Sequence, residues 1–278
     1  MVSSSDEKKL KEIRKQIFVT GYNGGGAHLA SSFSAVEILY TLYCKGVLKY
    51  SADDPNSKER DRFILSKGHA GLALYVILAE AGFFSKDILN GYQKPDGLIG
   101  GEPNKGDVPG IEVSTGSLGH GLSMAIGMAL AQKVDSKDSR TYVLLGDGEI
   151  QEGSVWEAAM SASAYKLNNL VAILDNNCIQ KTGAVKEIVG FDDWKDRWES
   201  FGWCVLEADG HNIDDLKKKL TYRESGDRPI LVVAHTTKGK GVSIMEGNPV
   251  WHYKLPNKKE LQVFLNELDI DENEVKRG

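Results

Sequence analysis

Three oxygen donors that suit a divalent cation come from two short polar segments. Asp147 lies in the segment GDGEIQEG, Asn177 ends the segment DNN, and the backbone carbonyl of Ile179 follows closely. Mg²⁺ prefers oxygen ligands and is usually shared between one or two protein carboxylates and the phosphates of a ligand. Gly146 and Gly148 place no side chain where a diphosphate has to approach the backbone. These residues predict a site for a metal-bound diphosphate.

Apolar runs precede both polar segments and predict the strands that position them. Residues 141–145 and 170–174 have the composition of buried parallel strands, and residues 154–165 between them have a helical pattern. In open α/β sheets, ligands bind beyond the carboxyl ends of the strands, where helix amino ends also offer free N–H groups to anions. Either segment alone is a common turn sequence, so only their succession after two strands favours the metal site.

The rest of the chain predicts an α/β fold, with a mostly parallel sheet flanked by helices. Two further strands and five further helices are predicted at 204–208, 230–234, 6–20, 34–45, 71–81, 122–133 and 213–220. Glycines at 21–26 interrupt the chain after the first helix, and the Pro/Gly-rich stretch 95–110 predicts a long loop. We expect residues 1–256 to form one domain, followed by a charged helical tail at 257–278.

Composition favours a cytoplasmic enzyme subunit. The formal charge of −5 over 278 residues provides no basic surface for nucleic acid or an anionic membrane. No stretch of about 20 apolar residues offers a membrane span, and the polar amino terminus does not resemble a signal peptide. Cys44, Cys178 and Cys204 lack zinc-site spacing and predict reduced thiols.

Seven motifs, in order, resemble the amino-terminal, diphosphate-binding half of transketolase, particularly the forms that are split into two polypeptides. They lie between about residues 10 and 256. The motifs are AH (27–28) with SAVEIL (34–39), LSKGHA (65–70), VSTGSLGHG (113–121), GDGEIQEG (146–153), DNN (175–177), TTKGKG (236–241) and WH (251–252). The resemblance implies a thiamine diphosphate-binding fold with thiamine diphosphate and Mg²⁺ as cofactors.

The same resemblance implies which residues form the site. Three histidines would carry the proton transfers on the sugar hydroxyls: His28, His69 and His252. Imidazole suits this role near neutral pH. The implied cofactor-binding residues are His69, Gly116, Ser117, Leu118, Gly146, Asp147, Gly148, Glu149, Asn177 and Ile179, with Asp147, Asn177 and Ile179 as metal ligands. His211 and His235 lie outside the motifs that carry the histidines and are expected to be structural.

Glu152 has two interpretations. As a first-turn helix carboxylate it would be favoured by the positive end of the helix dipole. The resemblance instead implies a buried carboxylate at a dimer boundary, coupled to the cofactor-activating glutamate of a pyrimidine-binding domain. That domain is expected on a separate partner chain, so the chain alone should be inactive. The resemblance implies a two-fold symmetric α2β2 heterotetramer.

The chain departs from the family pattern mainly where substrate would be met. Glu102 stands where transketolases usually have a histidine, Lys181 replaces a branched apolar residue, and Tyr253 replaces a glycine; Ala27 and His120 also differ. We expect a retained cofactor and an altered substrate, with His28, Glu102, Lys181 and His252 contacting it. Glu102 would repel a phosphate but accept hydrogen bonds from sugar hydroxyls, and Lys181 could pair with it if their loops meet. Neutral drift at solvated loop positions is the alternative.

Four functions remain open. The resemblance implies an enzyme subunit that transfers a two-carbon ketol unit from a ketose or ketose phosphate to an aldose. One alternative is a synthase that decarboxylates a 2-oxo acid before transfer, similar to the enzymes that make 1-deoxyxylulose phosphate. Another is a non-catalytic, partner-binding paralogue. A plain nucleotide-binding domain is disfavoured, because the sequence has neither GxxxxGK[ST] nor a dinucleotide-binding fingerprint after its first strand.

Overall fold

Five parallel strands form the central sheet of the computed structural model, which describes residues 4–191 and 193–276. Their spatial order is β1-β2-β3-β7-β6, and a separate antiparallel pair, β4 and β5, lies outside the sheet. The bounds are β1 Arg62–Leu65, β2 Thr141–Gly146, β3 Leu170–Asn176, β4 Ile179–Gln180, β5 Gly183–Ala184, β6 Cys204–Asp209 and β7 Ile230–His235. The predicted fold class and the four predicted strands are confirmed.

Helices cover both faces of the sheet. The bounds are α1 Ser4–Asn23, α2 Leu29–Ser34, α3 Val36–Cys44, α4 Gly71–Glu80, α5 Gly121–Val134, α6 Gly153–Ala164, α7 Val185–Val189, α8 Lys195–Ser200, α9 Ile213–Leu220 and α10 Lys258–Glu267. Alternate residues of β2 enter opposite cores. Tyr142 and Leu144 pack with α1, α3 and α4, whereas Val143 and Leu145 pack with α5 and α6. The strands are therefore buried on both sides, as their continuous apolar sequence predicts.

The strand register brings the polar segments to one edge. Gly146 at the end of β2 pairs with Asp175 on β3, and Asp175 pairs with Ala234 on β7. All three strands run in the same direction, so the loops that follow them meet at the carboxyl edge of the sheet. This edge is where the sequence places the metal-bound diphosphate.

Three local predictions differ from the structure. The predicted helix 34–45 is two helices, because the N–H of Ala35 bonds to the carbonyl of Ser32, three residues back, and tightens the turn between α2 and α3. Helix α1 runs through Gly21, where a Cβ would lie only 2.9 Å from the Cβ of Ala27, so that glycine permits close packing. Strand β1 was not predicted, because four residues are too few to show a pattern.

The chain's last helix packs into the main core. Phe264 of α10 is fully buried and stacks on Phe18, with ring centroids 4.5 Å apart, and on Trp251 at 5.4 Å. The predicted helix is therefore present, while a domain boundary at residue 256 stays a prediction. In the described part of the chain, no helix combines the length and apolarity needed to cross a bilayer. Cys44, Cys178 and Cys204 are free thiols.

Candidate active site

A cavity of about 460 Å³ lies at the carboxyl ends of β2 and β3 and brings together most of the predicted site residues. The predicted residues that line it are His28, His69, Glu102, Gly116, Leu118, Gly146, Asp147, Gly148, Glu149, Glu152, Asn177, Ile179, Lys181 and His252. Ser117 is the exception. Its side chain is exposed to solvent and does not line the cavity, although its two neighbours do.

Asp147 has one carboxylate oxygen without a protein partner. Its Oδ1 accepts a hydrogen bond of 2.8 Å from the N–H of Gly148, whereas its buried Oδ2 accepts none from any described residue. Burial, reinforced by the nearby carboxylate of Asp175, raises the pKa of Asp147 to about 7. A buried carboxylate without a partner is costly, and a cation would satisfy it. Asp147 therefore fits the role of metal ligand.

The other two predicted oxygen donors lie in the loop after β3. The Oδ1 of Asn177 accepts a bond of 3.2 Å from the N–H of Ile179, and the carbonyl of Ile179 accepts one of 2.8 Å from the ammonium of Lys238. An amide or carbonyl oxygen has two lone pairs, so each still has one to offer. Burial and the charge of Lys67 lower the pKa of Lys238 to about 8. Lys238 remains a cation at neutral pH beside these oxygens.

A buried ion pair supports the cavity from below. The ammonium of Lys67 bonds to Oδ2 of Asp175, which also accepts a bond of 2.7 Å from the hydroxyl of Ser34. Thr236 donates its hydroxyl to Oδ1 of Asp175. Burial alone would raise the pKa of Asp175, but the Lys67 ammonium and the two hydroxyls hold it below its ordinary value. Asp175 is thus a fixed anion that orients Lys67 toward the cavity.

Glu149 holds two loops together. Its Oε1 accepts hydrogen bonds from the hydroxyl of Ser66 and, at 3.0 Å, from the N–H of Gly119, while Oε2 accepts one of 3.0 Å from the N–H of Gly146. Burial raises the pKa of Glu149. Both of its oxygens are used, so Glu149 shapes the cavity by joining the end of β2 to the loop that contains Gly116. Direct contact of Glu149 with the cofactor stays a prediction.

Three histidines cluster at the cavity. The ring centroids of His28 and His69 are 5.4 Å apart, and those of His28 and His252 are 5.2 Å apart. Burial, and then the charge of Lys238, lowers the pKa of His28 and of His252 to about 4. Burial and the charge of Lys67 lower the pKa of His69 well below its ordinary value. All three rings are therefore neutral at pH 7, and each can both accept and donate a proton.

The predicted substrate residues lie at the cavity's outer edge. Glu102 is exposed, and its carboxylate lies against the loop before α5: a Cβ added to Gly116 would be 1.9 Å from Glu102 Oε2. Lys181 is also exposed. Both line the cavity, yet they form no ion pair with each other, so the predicted pairing is wrong. Lys181 instead acts at longer range, where its charge contributes to the lowered pKa of His28 and His252.

Glu152 and Tyr253 complete this outer edge. Glu152 is the residue at which α6 begins; its side chain is exposed in the single chain and caps no backbone N–H. Its burial at a subunit boundary stays a prediction. The ring of Tyr253 is 58% exposed and packs on His28, with centroids 4.7 Å apart.

The site thus has two regions that differ in exposure. We call the first the floor; its side chains are at most 9% exposed and belong to Lys67, Asp147, Glu149, Asp175, Asn177 and Lys238. We call the second the rim; its side chains are exposed and belong to Glu102, Glu152, Lys181 and Tyr253. The three histidines lie with their rings between these regions.

Sequence reasoning did not select three members of the floor. Lys67 and Lys238 each lie in a quoted motif, LSKGHA and TTKGKG, but neither was assigned a role. Asp175 precedes the predicted ligand Asn177 by two residues and was counted only as part of DNN. A signal was present, because a charged residue directly after an apolar strand is buried at the sheet edge and requires a partner.

Comparison with known proteins agrees with this geometry. The family profile described as "Transketolase, thiamine diphosphate binding domain" matches residues 8–273. One of the two subunits of an apulose-4-phosphate transketolase from Phocaeicola vulgatus is 41% identical over 94% of this chain and 93% of its own length. The protein of the same name from Actinobacillus succinogenes is 44% identical over 94% of this chain and 95% of its own length.

Solved structures show the same fold. The structure of a Pichia stipitis transketolase complex with sedoheptulose-7-phosphate superimposes with a TM-score of 0.89 at 28% identity. The match covers 97% of this chain and 41% of that one. The chain belongs to the transketolase family, of which it is the amino-terminal, thiamine diphosphate-binding part.

Proposed function

We propose that this chain is the diphosphate-binding subunit of a transketolase that depends on thiamine diphosphate and Mg²⁺. The enzyme would transfer a two-carbon ketol unit from a ketose phosphate to an aldose. The observation that carries the proposal is the buried Oδ2 of Asp147, which lacks a protein partner in a residue that lines the cavity. The names of the two bacterial relatives support a phosphorylated ketose as donor.

The donor set fits Mg²⁺ bound together with a diphosphate. One carboxylate, from Asp147, one amide oxygen, from Asn177, and the carbonyl of Ile179 are hard oxygen ligands with a single negative charge. Lys238 and Lys67 supply two positive charges beside them. A diphosphate brings several negative charges, so these cations compensate what Mg²⁺ leaves unbalanced.

The three neutral histidines fit the proton transfers of ketol transfer. Thiamine diphosphate, when bound, supplies the carbon nucleophile and the electron sink. His28, His69 and His252 hold lone pairs and N–H groups toward one cavity, so they can bind sugar hydroxyls and accept or return their protons. Their lowered pKa values keep the rings in the form that can do both at neutral pH.

We propose that a partner chain with the pyrimidine-binding domain completes the site in an α2β2 heterotetramer. The two bacterial relatives, whose names describe them as transketolase subunits, support a split enzyme. The surface beside Glu152 supports a close interface, because a Cβ added at exposed Gly127 or Gly153 meets nothing within 4 Å, and Met160 is 54% exposed. Small side chains let a neighbouring helix approach, and Glu152 would then become buried.

Two measurements test this proposal. Calorimetry of the chain together with its partner is expected to show binding of thiamine diphosphate that requires Mg²⁺ and disappears with EDTA, whereas ATP should not bind. A coupled assay is expected to show ketol transfer by the pair and none by the chain alone. Turnover without the partner would refute the split site, and binding that does not depend on metal would refute the role of Asp147.

A further inference from the structure

The loop that follows β7 is held at three consecutive residues by three different parts of the molecule. Thr236 donates its hydroxyl to Asp175 at the end of β3. The backbone N–H of Thr237 donates to Nε2 of His211 at 2.8 Å. Lys238 reaches into the cavity and donates to a backbone carbonyl at 2.8 Å. The position of the Lys238 side chain therefore depends on contacts on both sides of its own residue.

The contact with His211 fixes the tautomer of that ring. A backbone N–H can only donate, so Nε2 must carry the lone pair and Nδ1 must carry the hydrogen. The Nδ1 atom lies 3.1 Å from Oε2 of Glu37, a contact too poorly aligned for a hydrogen bond but close enough for strong electrostatic attraction. A doubly protonated or Nε2–H ring could not accept from Thr237.

Glu37 is itself held by a buried arginine. The guanidinium of Arg14 donates to both carboxylate oxygens of Glu37, at 2.8 and 2.7 Å, and to the carbonyl of Phe33 at 3.3 Å. Burial alone would raise the pKa of Glu37, but Arg14 and His211 keep it below its ordinary value. Arg14 also packs against the same loop, since a Cβ at Gly241 would lie 2.8 Å from its Cδ.

We propose that Arg14, Glu37 and His211 form a positioning network that sets the place of Lys238 in the cavity. His211 does not line the cavity, so it acts through the backbone N–H of Thr237 and not on the ligand. The network joins α1, α3 and the loop between β6 and α9 to one residue of the floor. This inference rests on the proposed function only in taking the diphosphate as the group that Lys238 meets.

Matched histidine variants test the network. His211→Phe keeps a ring but removes the acceptor, whereas His211→Gln keeps an oxygen that can accept from Thr237. With the partner present, His211→Phe is expected to weaken binding of thiamine diphosphate with Mg²⁺ about tenfold, the loss of one buried hydrogen bond, while His211→Gln stays within about threefold of wild type. His235→Phe is the control, because that histidine flanks the same loop but is half exposed.

A purely structural role predicts a different result. It would lower the unfolding temperature of His211→Phe while leaving the affinity of the folded protein for thiamine diphosphate unchanged, and that outcome would overturn the proposal. Equal losses in His211→Gln and His211→Phe would overturn it as well, because rescue by an acceptor is required.

A second measurement does not depend on binding or on the folding of a variant. In the wild-type chain with its partner, ¹⁵N-labelled histidine spectra at neutral pH are expected to show His211 protonated at Nδ1 and unprotonated at Nε2. The opposite tautomer would disprove the network even if thiamine diphosphate binds. Conversely, failure of the wild type to bind thiamine diphosphate would contradict the proposed function and leave this tautomer as the test of the network.

Discussion

The floor and the rim of the site differ in how firmly their charges are held. On the floor, every charged side chain has a fixed protein partner or, for Asp147, one orphaned oxygen. On the rim, Glu102 and Lys181 are exposed and do not pair with each other. Buried charges tolerate little change because each one needs its partner, whereas exposed charges can be exchanged at low cost. A new substrate can therefore be accommodated at the rim without disturbing the floor.

The most severe test of this contrast is to remove a floor cation. Lys67→Met leaves Asp175 buried without its counter-ion and is expected to lower the free energy of unfolding by about 3 to 5 kcal/mol. Lys166→Met removes the same side chain from the exposed pair with Asp227 and should change it by less than about 0.5 kcal/mol. Urea unfolding followed by circular dichroism measures both. Similar losses in the two variants would abolish the distinction between buried and exposed charges.

Replacing the metal ligand should separate stability from binding. Asp147→Asn is expected to weaken Mg²⁺-dependent binding of thiamine diphosphate by at least about 100-fold in calorimetry. Asp138→Asn, at an exposed carboxylate, should leave binding unchanged.

The same substitution is expected to stabilise the chain in EDTA. The pKa of Asp147 is raised from 3.8 to about 7, so the wild type loses stability as pH rises through 7 and this carboxyl ionises. Asparagine cannot ionise, so Asp147→Asn should be more stable by about 1 to 3 kcal/mol above pH 7. Lower stability of the variant there would mean that Asp147 is not a destabilising charge.

The histidines between floor and rim should respond to acid. Because the pKa of His28 and His252 falls from 6.5 to about 4, their contribution to stability is complete above pH 6.5 and is lost as pH falls toward 4. The double variant His28→Asn with His252→Asn should flatten this loss in urea midpoints measured from pH 7 to pH 4. His235→Asn, at an exposed site, is the control. Identical curves for all three proteins would contradict the lowered pKa values.

The smallest expected effect concerns the rim itself. Glu102→His should alter the ratio of kcat/KM for phosphorylated over unphosphorylated donors by about tenfold in favour of the phosphate, because a repelling carboxylate is gone. Glu102→Gln removes only the charge and should account for most of this change. Neither variant should change the affinity for thiamine diphosphate. A donor preference that stays constant would show that Glu102 does not select the substrate.

The sequence predicts the floor's metal ligands because local patterns determine them. Asp147 and Asn177 each follow an apolar strand closely, and parallel strands with a common direction bring such residues to one edge. Nothing local reveals that Lys67 pairs with Asp175, because the two are 108 residues apart and the strand before Lys67 is too short to recognise.

Long-range geometry also explains the other differences. His211 lies 174 residues from its partner Glu37, so its buried position follows from the packing of α9 on α3 and from no motif. The pairing of Glu102 with Lys181 failed because it required two loops to meet, and loop paths depend on contacts such as that of Glu102 with Gly116. Ser117 shows that adjacent motif residues can point in opposite directions.

The stacking of Phe264 between Phe18 and Trp251 has a practical consequence for protein engineering. Trp251 adjoins His252, so the last helix braces the segment that delivers a histidine to the cavity. A gene fusion that joins this chain to its partner in one polypeptide should therefore place the linker after residue 276. A junction at residue 256, where sequence similarity alone suggests a cut, would delete that brace.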